Sequence, residues 1–403
     1  MGDCRPMPSF SPFPGLRFSL SHVRSLDDVV CPPYDVISDA ERLALEARSP
    51  YNVVRLELPH GGDDRYEAAR TLLDAWRDGG VLHRDVEPAF YGYRMSFRDP
   101  TGANRQTLGV IGALHLEAPG RGILPHEETT PKAKTDRLEL LRATRCNLSP
   151  IWCLSPTPGL SELLEPPNHP LERATDSEGV THEVWPITSP GAVAKISEAV
   201  AANPVLVADG HHRYETALTF QSELDGDTAA ADGPGAVMAL VVELADEQLT
   251  VQGIHRLLVG LPPGFDLPSA LEPWFEIAPG GPVDRSLLSR MEEAGALAVL
   301  TPETAWLAWP KATVTEAAKH DLDSSRLDVA LAALPEHDVV YQHGWDNAAA
   351  AVASGAASAA VLLRPATVAQ IAAISKGATR MPPKTTFFWP KPRTGTVIRE
   401  LGG

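Results

Sequence analysis

Short apolar runs broken by turn residues, rather than long periodic helices, set the pattern of this chain, which carries 37 prolines and 31 glycines. Ser38-x-x-Glu41 reads as a capping box that opens a helix over 40–47. Residues 52–58 alternate as a strand would, placing Arg55 and Glu57 on one face. Residues 63–79 form an amphipathic helical pattern ended by Gly79-Gly80. Two period-two runs, 89–97 and 106–116, flank Asp99-Pro100-Thr101-Gly102 and signal a hairpin. Downstream the pattern predicts a helix over 138–144, a buried strand over 147–154, a hairpin within 173–185 and a helix over 191–202. A strand over 236–244 and a segment over 250–259 follow, and 262–363 alternates helix and strand without a chemically loaded motif. The Ala-rich run 348–363, interrupted by Ser354, Gly355 and Ser358, reads as helix, turn and strand. Residues 380–392 hold the triplet Phe387-Phe388-Trp389 between Lys384 and Lys391 with four prolines, an extended segment that either packs as a belt or brings Lys384 into a site. The fold class is α+β, or mixed α/β. Three regions are expected: 1–120 with the hairpin, 121–240 as a core, and 241–403 as an α/β region whose tail can return to that core.

The most chemically loaded stretch is Pro204–Leu224. Val205-Leu206-Val207-Ala208 has the length and β-branched content of a buried strand, Asp209-Gly210 breaks it, and a helical face of Tyr214, Ala217, Leu218 and Leu224 follows. A strand feeding a tight turn and a helix presents backbone N–H groups at a partially positive helix end, which suits phosphate or carboxylate. The first turn adds His211, His212 and Arg213, with Asp209 just before them. Asp209 alone could be a helix cap and the histidines ordinary turn residues. The whole Asp-Gly-His-His-Arg combination favours an anion site. A second loaded stretch, Leu124–Arg137, packs His126, Glu127, Glu128, Lys132, Lys134, Asp136 and Arg137 together before a helix. It is either a solvated loop or a functional one, as long irregular polar loops often are.

Composition narrows the classes. Asp and Glu outnumber Lys and Arg 52 to 35, a net charge of −17, with no basic run, so nucleic acid and anionic membrane are poor partners. The first fifteen residues lack an apolar signal core and no run reaches transmembrane length. Cys4, Cys31, Cys146 and Cys153 lie far apart without C-x-x-C, against a zinc knuckle or a disulfide framework and in keeping with a reducing cytoplasm. His126, His211, His212 and His255 lack the i, i+4 spacing of a helical zinc site. His255-Arg256 reads as a surface or satisfied core pair. There is no G-x-G-x-x-G, P-loop, G-x-S-x-G or H-E-x-x-H, which removes support for a Rossmann enzyme, a P-loop kinase and a zincin.

Several segments together resemble the bacterial and archaeal family catalogued as domain-of-unknown-function 1015. They are Pro12-Phe13-Pro14-Gly15-Leu16-Arg17, Pro32-Pro33-Tyr34-Asp35-Val36-Ile37-Ser38, Ser49-Pro50-Tyr51-Asn52-Val53-Val54-Arg55-Leu56-Glu57, Leu124-Pro125-His126-Glu127, Asp136-Arg137-Leu138, Ala208–Ala217 and Met381–Phe388. More locally, Asp-Gly-His-His-Arg is similar to the phosphate-binding strand–turn–helix of the ParB-like superfamily, which includes ParB proteins, sulfiredoxin and a free-serine kinase. That resemblance implies a ParB/serine-kinase-like core in which Gly210, His211, His212 and Arg213 hold nucleotide phosphates and Asp209 sits near a magnesium ion. His211 stands where the sulfiredoxin cysteine would be, and the acidic charge disfavours a DNA clamp.

Phosphoryl transfer needs a phosphate cradle, Mg²⁺, cations on the transferring group and a carboxylate for the hydroxyl proton. With ATP or ADP as donor, Lys132, Arg137 or Lys384 would neutralise charge, Glu127 is the first choice of base and Glu57 the second, and His126 is placed in the same site beside Glu127. The expected activity is transfer to a small hydroxyl metabolite such as L-serine. A nucleotide or phosphate-ester hydrolase, and a non-catalytic nucleotide or phosphometabolite sensor, use the same cradle.

Overall fold

A computed structural model of the chain describes residues 7–99, 102–118, 120–125, 134–167, 172–224, 233–376 and 380–402. The fold is mixed α/β, with two compact units. Of the described residues, those within 1–125, 129–250 and 390–403 form one unit and those within 251–389 the other.

The first unit is built on a mixed sheet of nine described strands. From one edge the order is Ile123–Pro125, Val205–Asp209, Ile151–Ser155, Ala236–Glu243, Asn104–His115, Phe90–Arg98, Thr181–Ile187 and Glu172–Thr175, with Phe10–Ser11 also paired to Asn104–His115. The inner strands are buried, which is why residues 205–208 and 151–154 read as unbroken apolar runs. Val205, Val207, Ile151 and Val241 pack with Ile196 and Val200 of helix Pro190–Ala201 and with Tyr214 and Ala217 of helix His211–Ser222. A second core joins Leu73 and Trp76 of helix Arg65–Asp78 to Val53, Val54, Leu148 and Ile398.

The chain end threads through this unit as a strap. Thr394 and Cys31 exchange backbone hydrogen bonds of 2.9 and 3.3 Å, Gly395 N–H donates to Leu148 O at 3.1 Å, and Arg399–Glu400 pairs with Cys146–Asn147. Gly395 has φ +87°, and a Cβ there would lie 2.9 Å from Val53 Cγ1, so the close approach needs glycine.

The second unit has its own sheet, in the order Phe275–Gly281, Ala305–Pro310, Leu297–Leu300, Ala359–Leu362, Thr250–Val259, Asp338–His343, with Thr386–Trp389 also on Thr250–Val259. The expected helix, turn and strand of the Ala-rich run are helix Trp345–Ala353 and strand Ala359–Leu362.

One expected strand is a helix. Residues 52–58 contain the turn Val54–Glu57, because Asn52 is fully buried and organises the backbone around it. Its Oδ1 accepts from Val54 N–H at 3.0 Å, and its Nδ2 donates to Asp28 O and Val30 O. The turn buries Val53, Val54, Leu56 and Glu57 together, so Arg55 and Glu57 do not share a face. The expected strand over 147–154 is split at Pro150 into Cys146–Asn147 and Ile151–Ser155. Ser38 caps helix Asp39–Arg48 by accepting from Glu41 N–H at 3.2 Å, as its spacing predicts.

Asn52→Ala strands a buried N–H and two carbonyls and is expected to cost roughly 2–3 kcal/mol. Urea unfolding of the variant checks this, and a change below about 0.5 kcal/mol would contradict the anchoring role.

Candidate functional site

The strand Val205–Asp209 leaves its regular pairing just before the site. Its register against Ile151–Ser155 shifts between Val207 and Asp209, a bulge that re-aims the Asp209 side chain. Gly210 then takes φ +88°, and helix His211–Ser222 begins with no side-chain cap at that position. A Cβ on Gly210 would lie 2.9 Å from Ile151 Cγ2 and 3.0 Å from the Arg213 guanidinium, so the turn requires glycine.

Asp209 is held by two cations. Lys391 Nζ donates to Oδ1 at 2.7 Å and Arg213 Nη2 to Oδ2 at 3.0 Å. Burial alone would push this carboxyl up; Lys391 and Arg213, with a smaller share from His211, hold it well below the usual carboxylate range. The Arg213 guanidinium is turned inward, where Nη1 donates to Ser149 Oγ at 3.0 Å and Pro150 O at 2.6 Å.

Ser149 links this cluster to a second carboxyl. Its Oγ donates to Glu57 Oε1 at 3.4 Å. Glu57 is 3% exposed, and burial pushes its carboxyl up against the opposing pull of Arg137, Arg213 and Ser149. Arg137 Nη1 donates to Glu57 O at 2.7 Å and lies 3.8 Å from Glu57 Oε1; its other edge binds Asp136, and its face covers the Tyr34 ring at 4.5 Å. Glu57, Arg137, Ser149, Arg213 and Thr216 line a cavity of about 60 Å³. The buried Thr216 Oγ1 has no hydrogen-bond partner among the described residues.

Of the expected site residues, Asp209, Gly210, His211, His212 and Arg213 form the junction, and Arg137 joins it through Glu57 and Ser149. His126, Glu127 and Lys132 lie outside the described residues. Lys384 belongs to the second unit, where it has φ +56° and its carbonyl accepts from Arg256 Nη1 at 3.0 Å. Arg256 also stacks on Tyr341 at 4.6 Å, and His255 Nδ1 accepts from Leu363 N–H at 3.3 Å, so that pair is a satisfied core contact. Sequence reading missed Lys391 and Ser149. The lysine's only signal is its place between Pro390 and Pro392; Ser149 has none.

Among the described residues no group of three or more His, Cys, Asp and Glu could hold a metal ion, and no helix is long and apolar enough to cross a membrane. Both oxygens of Asp209 are ion-paired, so it does not fit a direct magnesium ligand in this arrangement.

The model of a family described as "Protein of unknown function (DUF1015)" matches residues 10–330. Among curated proteins no match is found. Solved structures similar to this chain include a conserved hypothetical protein from Pyrococcus furiosus, at 16% identity over 67% of this chain and 88% of that one with a TM-score of 0.36. A free serine kinase in complex with AMP is 16% identical over 66% and 83% with a TM-score of 0.35. SbnI with a C-terminal truncation, from Staphylococcus aureus, is 11% identical over 70% and 85% with a TM-score of 0.38.

Lys391→Met removes one of two partners from a carboxylate only 17% exposed and is expected to cost roughly 2–4 kcal/mol at pH 7. Because the folded value of Asp209 lies below its unfolded value, its contribution is present above the unfolded pKa and is lost as pH falls. The gap between variant and wild type therefore narrows below about pH 5. Melting temperatures across pH 3–8 check this, and a pH-independent gap would contradict it.

Proposed function

This chain belongs to the family described as protein of unknown function (DUF1015), and for it we propose phosphoryl transfer from ATP or ADP to a small hydroxyl metabolite such as L-serine. The observation that carries the reading is the junction itself: a bulged strand, a left-handed glycine and a helix N-terminus, with Asp209 under Lys391 and Arg213. Helix N-termini and flanking cations are the usual means of holding phosphate. The resemblance of Asp-Gly-His-His-Arg to the ParB-like strand–turn–helix supports the same use, with Gly210, His211 and His212 as the phosphate cradle.

Two carboxyls in contrasting environments supply the roles transfer needs. Asp209 is kept ionised by its cations, while burial leaves Glu57 with a raised affinity for a proton. Such a split separates an electrostatic group from an acid–base group. Glu57 accepts the acceptor hydroxyl proton in this reading, and Ser149 and Arg137 orient it. Arg213 acts as a positioning residue, since its donors already bind Asp209, Ser149 and Pro150 O. Lys391 is the cation that neutralises phosphate charge. A magnesium ion accompanying nucleotide phosphates would have Asp209 to hold it only in exchange for Lys391. Glu127 remains the alternative base, and His126 and Lys132 keep the place in the site that the sequence gives them.

Incubation with Mg²⁺, ATP or ADP and a pool of small hydroxy acids including L-serine, followed by ³¹P NMR, tests the proposal. A phosphorylated acceptor is expected. Free phosphate alone would make the protein a hydrolase, and nucleotide binding without turnover would make it a sensor. Glu57→Gln is expected to lower turnover at least about a hundredfold with nucleotide affinity unchanged. Undiminished turnover would reject Glu57 as the base.

A further inference from the structure

A sheet edge offers a row of backbone N–H and C=O groups to any strand that reaches it, and proteins blunt their edges for that reason. Among the described residues the two large sheets have four edges, and three of them are blunted. Ile123–Pro125 is only three residues long and ends in proline. Glu172–Thr175 lies against the turn Leu26–Asp28, where Thr175 N–H donates to Asp27 Oδ1 at 2.6 Å. Phe275–Gly281 carries Pro279, and its register against Ala305–Pro310 slips between Pro279 and Gly281.

The fourth edge, Asp338–His343, has none of these devices. All six residues stay in register with Thr250–Val259, from Ile254 opposite His343 to Val259 opposite Asp338. The sequence Asp-Val-Val-Tyr-Gln-His holds no proline, glycine or lysine. Among the described residues its other side meets no strand, and no hydrogen bond from outside the ladder reaches the backbone of 338–342. Val340 and Tyr341 are 45% and 42% exposed, an apolar pair on a bare edge. An edge of this kind is where a further strand adds.

The strand is complementary to itself. A two-fold axis normal to the sheet sets two copies antiparallel and pairs residues of equal parity, because opposite side chains share a face. With the axis at Val340, Val340 meets its own copy, Tyr341 meets Val339, and Asp338 meets Gln342. Each apolar position then faces an apolar one, and the carboxylate faces a carboxamide donor rather than a like charge. An axis at Tyr341 would instead set Val340 against Gln342 and Val339 against His343. The far edge of the same sheet is blunted at Pro279, so pairing closes at two copies instead of running on as a fibre.

We propose that Asp338–His343 is a dimerisation edge, where a second copy of this chain adds its own Asp338–His343 antiparallel about Val340. The contact is independent of the phosphate reading. A single added strand is smaller than the roughly 1,200–2,000 Å² of a standard interface, so the dimer forms reversibly.

Sedimentation equilibrium of the full chain from about 2 to about 200 μM tests the association, and cysteine cross-linking tests the register. A single chain at the low end and a mass approaching two chains at the high end is expected. Val340→Lys, at an exposed position, sets two ammonium groups face to face. It is expected to weaken association at least about tenfold with the melting temperature unchanged. Under mild oxidation Val340→Cys is expected to give a disulfide-linked dimer, since opposite Cα atoms about 4.5–5.5 Å apart suit that bond. Asp338→Cys lies four positions from its own copy in this register and is expected to give none. The wild-type chain, whose Cys31, Cys146 and Cys153 are buried, is the control. A chain that stays monomeric at about 200 μM would overturn the proposal and leave the edge to a strand from another protein. Association untouched by Val340→Lys would overturn the edge as the contact. Cross-linking at Tyr341→Cys but not at Val340→Cys would overturn the register.

Discussion

The charge balance at Asp209 is the constraint on which the first unit depends. A carboxylate taken out of water is costly unless its partners are close and well aligned. Lys391 and Arg213 meet that condition from opposite directions in sequence, one from the last residues of the chain and one from the helix after Gly210. The demand reaches backwards into the backbone. The bulge after Val207 and the left-handed Gly210 are what turn Asp209 toward both cations. It also reaches forwards, because the strap can deliver Lys391 only by seating Thr394 on Cys31 and Gly395 against Val53.

A second carboxyl, more deeply buried than Asp209, stands close by under different rules. Glu57 shares Ser149 with Arg213 and has Arg137 on its other side, yet desolvation outweighs these contacts and raises its proton affinity. One carboxyl is thus kept charged and the other is disposed to take a proton, within one chain of hydrogen bonds from Asp209 through Arg213 and Ser149 to Glu57. That contrast comes from placement, since the two side chains differ by a single methylene.

Much of the fold was legible because local pattern and burial agreed. The hairpin about Asp99–Gly102, the helix after Ser38 and the strand–turn–helix at Asp209 follow directly from period, cap and glycine. The stretch 52–58 was misread because its alternation is a coincidence of residue types. Buried Asn52, whose three hydrogen bonds include two to carbonyls more than twenty positions away, decides the conformation there. The site was legible where it is contiguous, at Asp209–Arg213. Ser149 and Lys391 are joined to it only in three dimensions, and the lysine comes from a segment whose aromatic triplet drew attention to Lys384 instead.

The central claim is that the turn at Gly210 and the helix start behind it receive phosphate. Backbone amide resonances of Gly210, His211 and His212, followed by NMR on deuterated protein as ATP is added, test it most directly. A saturable downfield shift of these amides, matched by weaker changes at Lys391, is the predicted result. Saturable ATP binding that leaves the three amides unmoved, or no binding at millimolar ATP, would contradict it.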